Sequence, residues 1–383
     1  MRYQEKRINL KEPLAFWRNF EDEEKMLFYH PFKKELIIGT IPLKKFYGEE
    51  NFRGYPYVFS RKTFFPTLKG PQWDGFEDET TAFEFYLVEK EGEQKLYYRD
   101  QEIEIQDQEC IPRRHDYKLT AKDYGEWQGL FNQAKEEIRS KKVDKVVISR
   151  QVEIQCRTAV AIESVLKNLM ENNPGSFVFA WYKQGKTFLG ASPEVLVEKN
   201  KGTISSYALA GTGARNQQEA DDIQQAALLN DPKNRHEHQL VVDYIAEIME
   251  SHSDEVVIGE TTTLALKNLF HLKTPIQGKV KENSSLRDWV SRLHPTPALG
   301  GYPAEKALEI IARYENHERG LYGAPLGVMN EEGDGIFVVG IRSALIEGNK
   351  LYAYTGCGIV ADSECEAEYL ETANKARTIL ESL

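Results

Sequence analysis

The stretch TGCGIVADSECEAEYLETANKA, Thr355 to Ala376, reads as the end of a strand, a polar turn and the first part of a helix that runs from about Glu364 to the C-terminus. Its strand half belongs to KLYAYTGCGIV. There Gly356 and Gly358 suggest a loop after the strand, where backbone N–H groups can approach a carboxylate closely. In the helix half, Glu368, Glu371 and Lys375 fall at i, i+3 and i+7 and share one stripe, while Tyr369, Ala373, Ala376 and Leu380 take the opposite face. Such a stripe is compatible with a solvated face carrying a Glu371–Lys375 pair. It is equally compatible with two carboxylates holding a hard cation such as Mg2+, which takes one or two carboxylates and keeps its remaining positions for water or an anionic ligand.

Upstream, FVVGIRSALI reads as one strand with Arg342 inside it. A buried arginine there needs an anion, from the protein or from a ligand. GSFVFAWY, KTFLGAS and TISSYALAG read as further strands, and Leu209 to Gly213 suggests a second glycine-rich loop. KVVISRQVEIQ alternates like a strand. Helical spacing joins Tyr124, Trp127, Leu130, Phe131, Ala134 and Ile138, with Thr120 and Asp123 placed to cap that helix, and joins Ile162, Val165, Leu166 and Leu169 in a second. A third helix opens after Asp231-Pro232 and puts Glu237 on the face of Leu240 and Val241. A carboxylate there must be paired, bound to a metal, or at the rim of the core. The first hundred residues carry apolar runs in KELIIGTIPL and FEFYLVEK, and EQKLYYRDQEIEIQD alternates with period two. Runs of strands with helices inserted between them predict an α+β fold. No G-x-G-x-x-G follows a strand and no phosphate-binding P-loop motif is present, so nucleotide readings lack their cradle.

With 383 residues, 41% of them hydrophobic, the chain can bury a large core. A net charge of −11 argues against nucleic acid as the main partner, while leaving room for a local basic pocket that takes a small anion. Cys110, Cys156, Cys357 and Cys365 match no zinc or disulfide spacing, which suits a reduced, cytoplasmic protein. MRYQEKRINLKEP carries no apolar run of a secretory signal, and no stretch approaches the length of a membrane span.

DKVVISR (144–150), ASPEVLV (191–197), ALAGTGAR (208–215), DPKNRHEH (231–238), LHPTPALGG (293–301), GIRSALI (340–346) and the opening stretch together resemble, in order, the motifs of the chorismate-using enzymes. That family includes anthranilate, aminodeoxychorismate, salicylate and isochorismate synthases. The resemblance is dense from about Lys145 onward. It implies a single α+β unit spanning 1–383, with two β-sheets packed face to face and helices outside. Within that unit a strand-rich part would reach to about residue 115 and a motif-bearing part would follow from about 116. Ammonia-using relatives carry Gln in place of Lys145, and aminodeoxychorismate synthases carry Lys in place of Ala210. The combination here therefore implies a water-using member, with no glutaminase subunit. Ala298, where pyruvate-eliminating members have Thr, favours isochorismate synthesis over salicylate synthesis, which stays as the alternative. The GGYP run and GIRSALI look more like the menaquinone-type than the siderophore-type members.

The same resemblance assigns roles. Lys145 would be the general base, as a neutral amine, and Glu194 the general acid, with its pKa raised by its pocket. Glu237 and Glu371 match direct Mg2+ ligands, and Glu368 a nearby acid acting through water. Arg342 and Tyr322 would hold the enolpyruvyl carboxylate with backbone at Gly356 and Gly358, and Lys375 would support the ring-carboxylate end. Thr212, His271 and Ala298 match positions around the ring. Two positions depart from the pattern: Cys357 replaces a commoner Ala or Ser, and Asn234 replaces a second acid.

Overall fold

A computed structural model describes residues 2–48, 51–111, 113–120, 124–216, 218–281 and 284–383. Among them, twenty strands form one continuous antiparallel sheet. It bends back on itself at strand Glu79–Lys90, which pairs with Glu35–Lys45 in one arm and with Val58–Arg61 in the other. The first arm continues through Lys25–His30, Phe177–Lys183, Lys186–Ser192, Ser343–Glu347 and Lys350–Ile359 to Lys145–Cys156. The second runs from Val58–Arg61 through Pro325–Met329, Gly335–Val339, Val195–Asn200 and Thr203–Ala214 to Leu269–Val280.

Side-chain alternation explains the layering. In Phe177–Lys183, Phe179 and Trp181 point into an apolar interior shared with Leu326, Val328, Ile336 and Val338 of the other arm. The intervening Val178 and Ala180 point outward, onto Val165, Leu166 and Leu169 of helix Ile162–Asn172. Helices Pro232–His252 and Leu286–Leu293 cover the outer face of the second arm, and helices Tyr124–Arg139 and Ala304–Tyr314 pack on Lys145–Cys156 at the end of the first. The chain is therefore an α+β sandwich, two sheet layers face to face with helices outside. Among the described residues no helix is long and apolar enough to cross a membrane.

The structure corrects four local expectations. FVVGIRSALI is two strands, because the chain crosses from one arm to the other between Val339 and Ser343. Arg342 makes that crossing with φ 51°, a left-handed conformation that costs a non-glycine residue about 1–3 kcal/mol. Gly356 and Gly358 do not form a loop. They lie within strand Lys350–Ile359, opposite Ser149 and Val147. Leu209 to Gly213 likewise stays in strand Thr203–Ala214, interrupted by a bulge between Ala210 and Thr212 where Gly211 takes φ 76°. EQKLYYRDQEIEIQD is a strand only over Glu93–Tyr98. Of the proposed helix cap, Asp123 lies outside the described residues, and the Thr120 hydroxyl donates to the Glu153 carbonyl at 3.2 Å.

Candidate active site

Where the arm-to-arm crossing, the bulge at Gly211 and the strand carrying Gly356 and Gly358 converge, they leave a cleft of about 690 Å³, its mouth included. Glu194, Thr212, Glu237, His271, Ala298, Tyr322, Arg342, Gly356, Gly358 and Lys375 all line it. Lys145, Glu368 and Glu371 stand behind that lining, each in contact with another charged group.

Lys145 opens strand Lys145–Cys156 and its side chain is fully buried, with Nζ 2.9 Å from Oε1 of Glu237. Apart from this ion pair, Nζ has no hydrogen-bond partner among the described residues. Gly358 makes room for this pair: a Cβ there would stand 2.6 Å from Glu237 Oε1 and 2.6 Å from Lys145 Cε. Burial pushes the Glu237 carboxyl up, but Lys145, with Lys375 and Lys233 behind it, outweighs burial and holds the group below its ordinary range.

Glu194 follows strand Lys186–Ser192, and its backbone is pinned by Val339 N–H donating to its carbonyl at 3.0 Å. Its carboxyl is buried and has no hydrogen-bond partner among the described residues. Burial raises it to about 7, against the opposing pull of Lys145, Arg342 and Lys375. It is therefore an acid divided between its two protonation states near neutrality.

Arg342 is buried, and one of its Nη atoms donates to Nε2 of His271 at 3.0 Å. Among the described residues it has no carboxylate partner. Burial pushes its guanidinium down to about 10. His271 is driven well below its usual range by burial and by Arg342, so it is neutral. Accepting from Arg342 at Nε2 leaves Nδ1–H to donate toward the Gly211 carbonyl at 3.3 Å, with Thr212 Oγ1 at 3.2 Å. Tyr322 stacks on Tyr354 at 5.5 Å, its hydroxyl against Gly356, where a Cβ would come within 2.9 Å of it.

Helix Cys365–Leu380 brings its acidic stripe against helix Pro232–His252. Lys233 Nζ lies 2.5 Å from Glu368, and Lys375 Nζ lies 2.6 Å from Glu371 while donating to the Gly356 carbonyl at 3.0 Å. The stripe is thus not a solvated face. Burial, and then the charge of Glu371, raise the Glu368 carboxyl. Among the described residues no three His, Cys, Asp or Glu side chains converge closely enough to enclose an ion. The donor chemistry nonetheless fits a hard cation. Three carboxylates, each matched to a lysine, offer hard oxygens, and Mg2+ requires only one or two of them. Asn234 is engaged otherwise: its amide donates to Asp231 and its oxygen accepts from Thr212 N–H, bracing the bulge at Gly211.

Sequence reasoning missed Arg319, which lies 2% exposed in the cleft wall. Its guanidinium donates twice to Glu315, at 2.9 and 2.6 Å, and once each to the carbonyls of Leu299 and Val147. Glu315 in turn accepts from the backbone and hydroxyl of Ser149. One ion pair therefore ties the Lys145 strand to the loop of Ala298. The i,i+4 spacing of Glu315 and Arg319, just before Tyr322, was the available signal.

Fold and cleft together define an α+β protein whose buried acid, lysine and arginine gather at one cleft. A family model described as chorismate binding enzyme matches residues 78–383, and the chain belongs to that family. It is 42% identical over 263 residues to isochorismate synthase MenF of Bacillus subtilis, covering 68% of this chain and 56% of that protein. It is 38% identical over 268 residues to the salicylate biosynthesis isochorismate synthase of Pseudomonas aeruginosa, covering 69% and 56%. The chain thus spans little more than half the length of these two relatives. Isochorismate synthase EntC of Escherichia coli is 32% identical over 299 residues, 77% of this chain and 74% of that one. The fold is shared with MenF of Escherichia coli, with a TM-score of 0.83 at 22% identity over 99% and 94% of the two chains. It is shared also with anthranilate synthase component I of Streptococcus pneumoniae, with a TM-score of 0.72 at 18% identity over 99% and 92%.

Proposed function

We propose that this chain is an isochorismate synthase that adds water to ring carbon 2 of chorismate and expels the carbon 4 hydroxyl. The observation that carries this reading is Glu194, a buried acid held near pH 7 in the same cleft as a buried arginine that has no carboxylate partner among the described residues. In this reading Lys145, acting as a neutral amine rather than as the counter-charge of Glu237, takes a proton from water as the new C2–O bond forms. The ring double bonds shift, the C4–O bond breaks, and Glu194 gives its proton to the departing hydroxyl, which leaves as water. Arg342 and Tyr322 hold the enolpyruvyl carboxylate, with backbone at Gly356 and Gly358, and Thr212, His271 and Ala298 border the ring. Mg2+, held by Glu237 and Glu371 with Glu368 acting through water, would neutralise the ring carboxylate, and Lys375 supports that end. In this reading the chain works as one unit, which the pairing of Lys25–His30 with Phe177–Lys183 in one sheet supports. The 42% identity to a MenF protein, a name shared with the menaquinone-specific enzyme of Escherichia coli, supports a menaquinone role.

Chromatography of chorismate incubated with the protein and Mg2+ tests the proposal directly; isochorismate is the expected product. Salicylate synthesis is the second reading, and Ala298 speaks against it, since a threonine hydroxyl there could tilt the ring toward pyruvate elimination. A well-placed hydroxyl is worth only ~0.5–1.5 kcal/mol, enough to bias a partition. Ala298→Thr should therefore raise pyruvate release, read by lactate dehydrogenase coupling, while lowering isochorismate yield. Abundant pyruvate from the unmutated protein would replace this reading with the salicylate one. Glu237→Gln and Glu371→Gln should each raise the Mg2+ concentration needed for half-maximal turnover. Full activity of both variants in chelator would remove the metal assignment.

A further inference from the structure

A second cleft, of about 960 Å³ including its mouth, adjoins the reaction cleft, and the two share Pro193 and Arg342 as walls. Helix Cys365–Leu380 divides them, with Lys375 on the reaction side and Asn374 and Thr378 on the other. The far wall of the second cleft is the turn Ala265–Leu269, which Lys267 ties to the C-terminal end of that helix through an ion pair to Glu381 at 2.6 Å.

The charge of this cleft runs against that of the whole. The chain carries a net charge of −11. The cleft lining carries Arg215, Lys267 and Arg342 against Glu381 alone, a local excess of two positive charges. The cleft between the sheet arms near Lys33 and Glu198 has the opposite balance, with three lysines against four acids. A cationic, mostly polar depression in an acidic protein concentrates anions at its mouth and speeds their arrival. Opposite this junction, the reaction cleft ends in the charged knot of Glu237, Glu371 and their lysines.

We propose that the second cleft is the passage by which the dicarboxylate substrate reaches and leaves the reaction cleft, moving past Arg342. The proposal rests on the isochorismate synthase reading for the identity of the dicarboxylate. The substrate would enter ring first. Its ring carboxylate would travel to the Glu237 end, and its enolpyruvyl carboxylate would be caught last, by the arginine at the junction. This gives Arg342 two tasks from one position, and gives the lysine-tied turn a place beside the passage.

A passage differs from a binding site in its kinetics. Narrowing it slows arrival and departure by the same factor and leaves the equilibrium untouched. Asn374→Phe combined with Thr378→Phe fills the cleft from two positions one helical turn apart, neither of which touches the reaction cleft. Stopped-flow fluorescence with chorismate as the probe should show association and dissociation rate constants both falling about tenfold, with Kd within about twofold of wild type. Lys267→Glu should slow association and flatten its dependence on ionic strength, because the local positive excess is abolished. Unchanged association rates in the double Phe variant, or a weakened Kd with an unchanged association rate, would overturn the passage. The two readings can fail separately. Wild-type protein that binds chorismate without turning it over would end the isochorismate synthase reading, while the rate constants still decide the passage. Wild-type protein that does not bind chorismate would overturn both.

Discussion

Glu194→Gln is expected to slow chorismate turnover by ~10²–10⁴-fold, the usual contribution of a positioned general acid, with a much smaller change in substrate binding. The geometry gives this loss a pH signature. Burial holds Glu194 at about 7, so the protonated form it needs as an acid is depleted as pH rises through that value. Wild-type kcat should decline on the alkaline side of neutrality with this group's titration, and the amide variant should lose that limb. Wild-type stability should carry the same titration. The folded-state value lies above the ordinary 4.5, so between the two the folded protein binds more protons than the unfolded chain. Wild-type stability therefore falls as pH rises across that window, and the variant, with nothing to ionise, escapes the fall. Melting temperatures from about pH 5 to about pH 8 should show the variant gaining on wild type as the pH rises. A variant with near wild-type turnover would remove Glu194 from the acid's role. An unchanged melting-temperature gap would show that its carboxyl is not held near neutrality.

The sequence made strand identity more legible than strand destination. Phe177, Phe179 and Trp181 alternating with Val178 and Ala180 announce a strand buried on both faces. Nothing local says that one face meets the opposite sheet arm and the other a helix. Period two also carries no information about where a strand ends. FVVGIRSALI stays apolar on both sides of Arg342, yet the chain changes arms there, because the partners on either side, Pro325 for Val339 and Tyr354 for Ser343, lie on different strands. The glycines misled in the same way. Gly356 and Gly358 resemble a turn, but the strand needs them small so that Tyr322, Lys145 and Glu237 can close against it.

Most of the site was readable only through the match of several separated motifs. Taken alone, Glu237 is a rim carboxylate, Lys145 a strand-end lysine and Glu371 half of an i,i+4 pair. The fold supplies what those readings lack, since a burial that charges resist is tolerated only when several of them meet. Arg319 escaped notice because its four acceptors come from three segments, Val147, Leu299 and Glu315, that only the tertiary structure brings together.

Lys145→Ala should be as damaging to turnover as loss of the acid, ~10²–10⁴-fold, because water is a poor nucleophile until a base takes its proton. It should also destabilise the protein, which Glu194→Gln should not. Lys145 is the nearest counter-charge of Glu237, at 2.9 Å, and its removal strands a buried carboxylate. Breaking one side of a buried pair typically costs about 3–5 kcal/mol. Lys375 and Lys233 also pull on Glu237, which places the expected cost toward the lower end, about 3 kcal/mol. The two effects separate in a double variant. Lys145→Met with Glu237→Gln removes both charges together and should recover most of the lost stability, since replacing a buried pair by neutral groups is often nearly neutral. Turnover should remain as low as in Lys145→Ala. If the double variant regained activity along with its stability, the single variant's defect would be electrostatic damage, and the proton would have to be taken by another group. If Lys145→Ala itself kept near wild-type turnover, the water-activating role would be wrong.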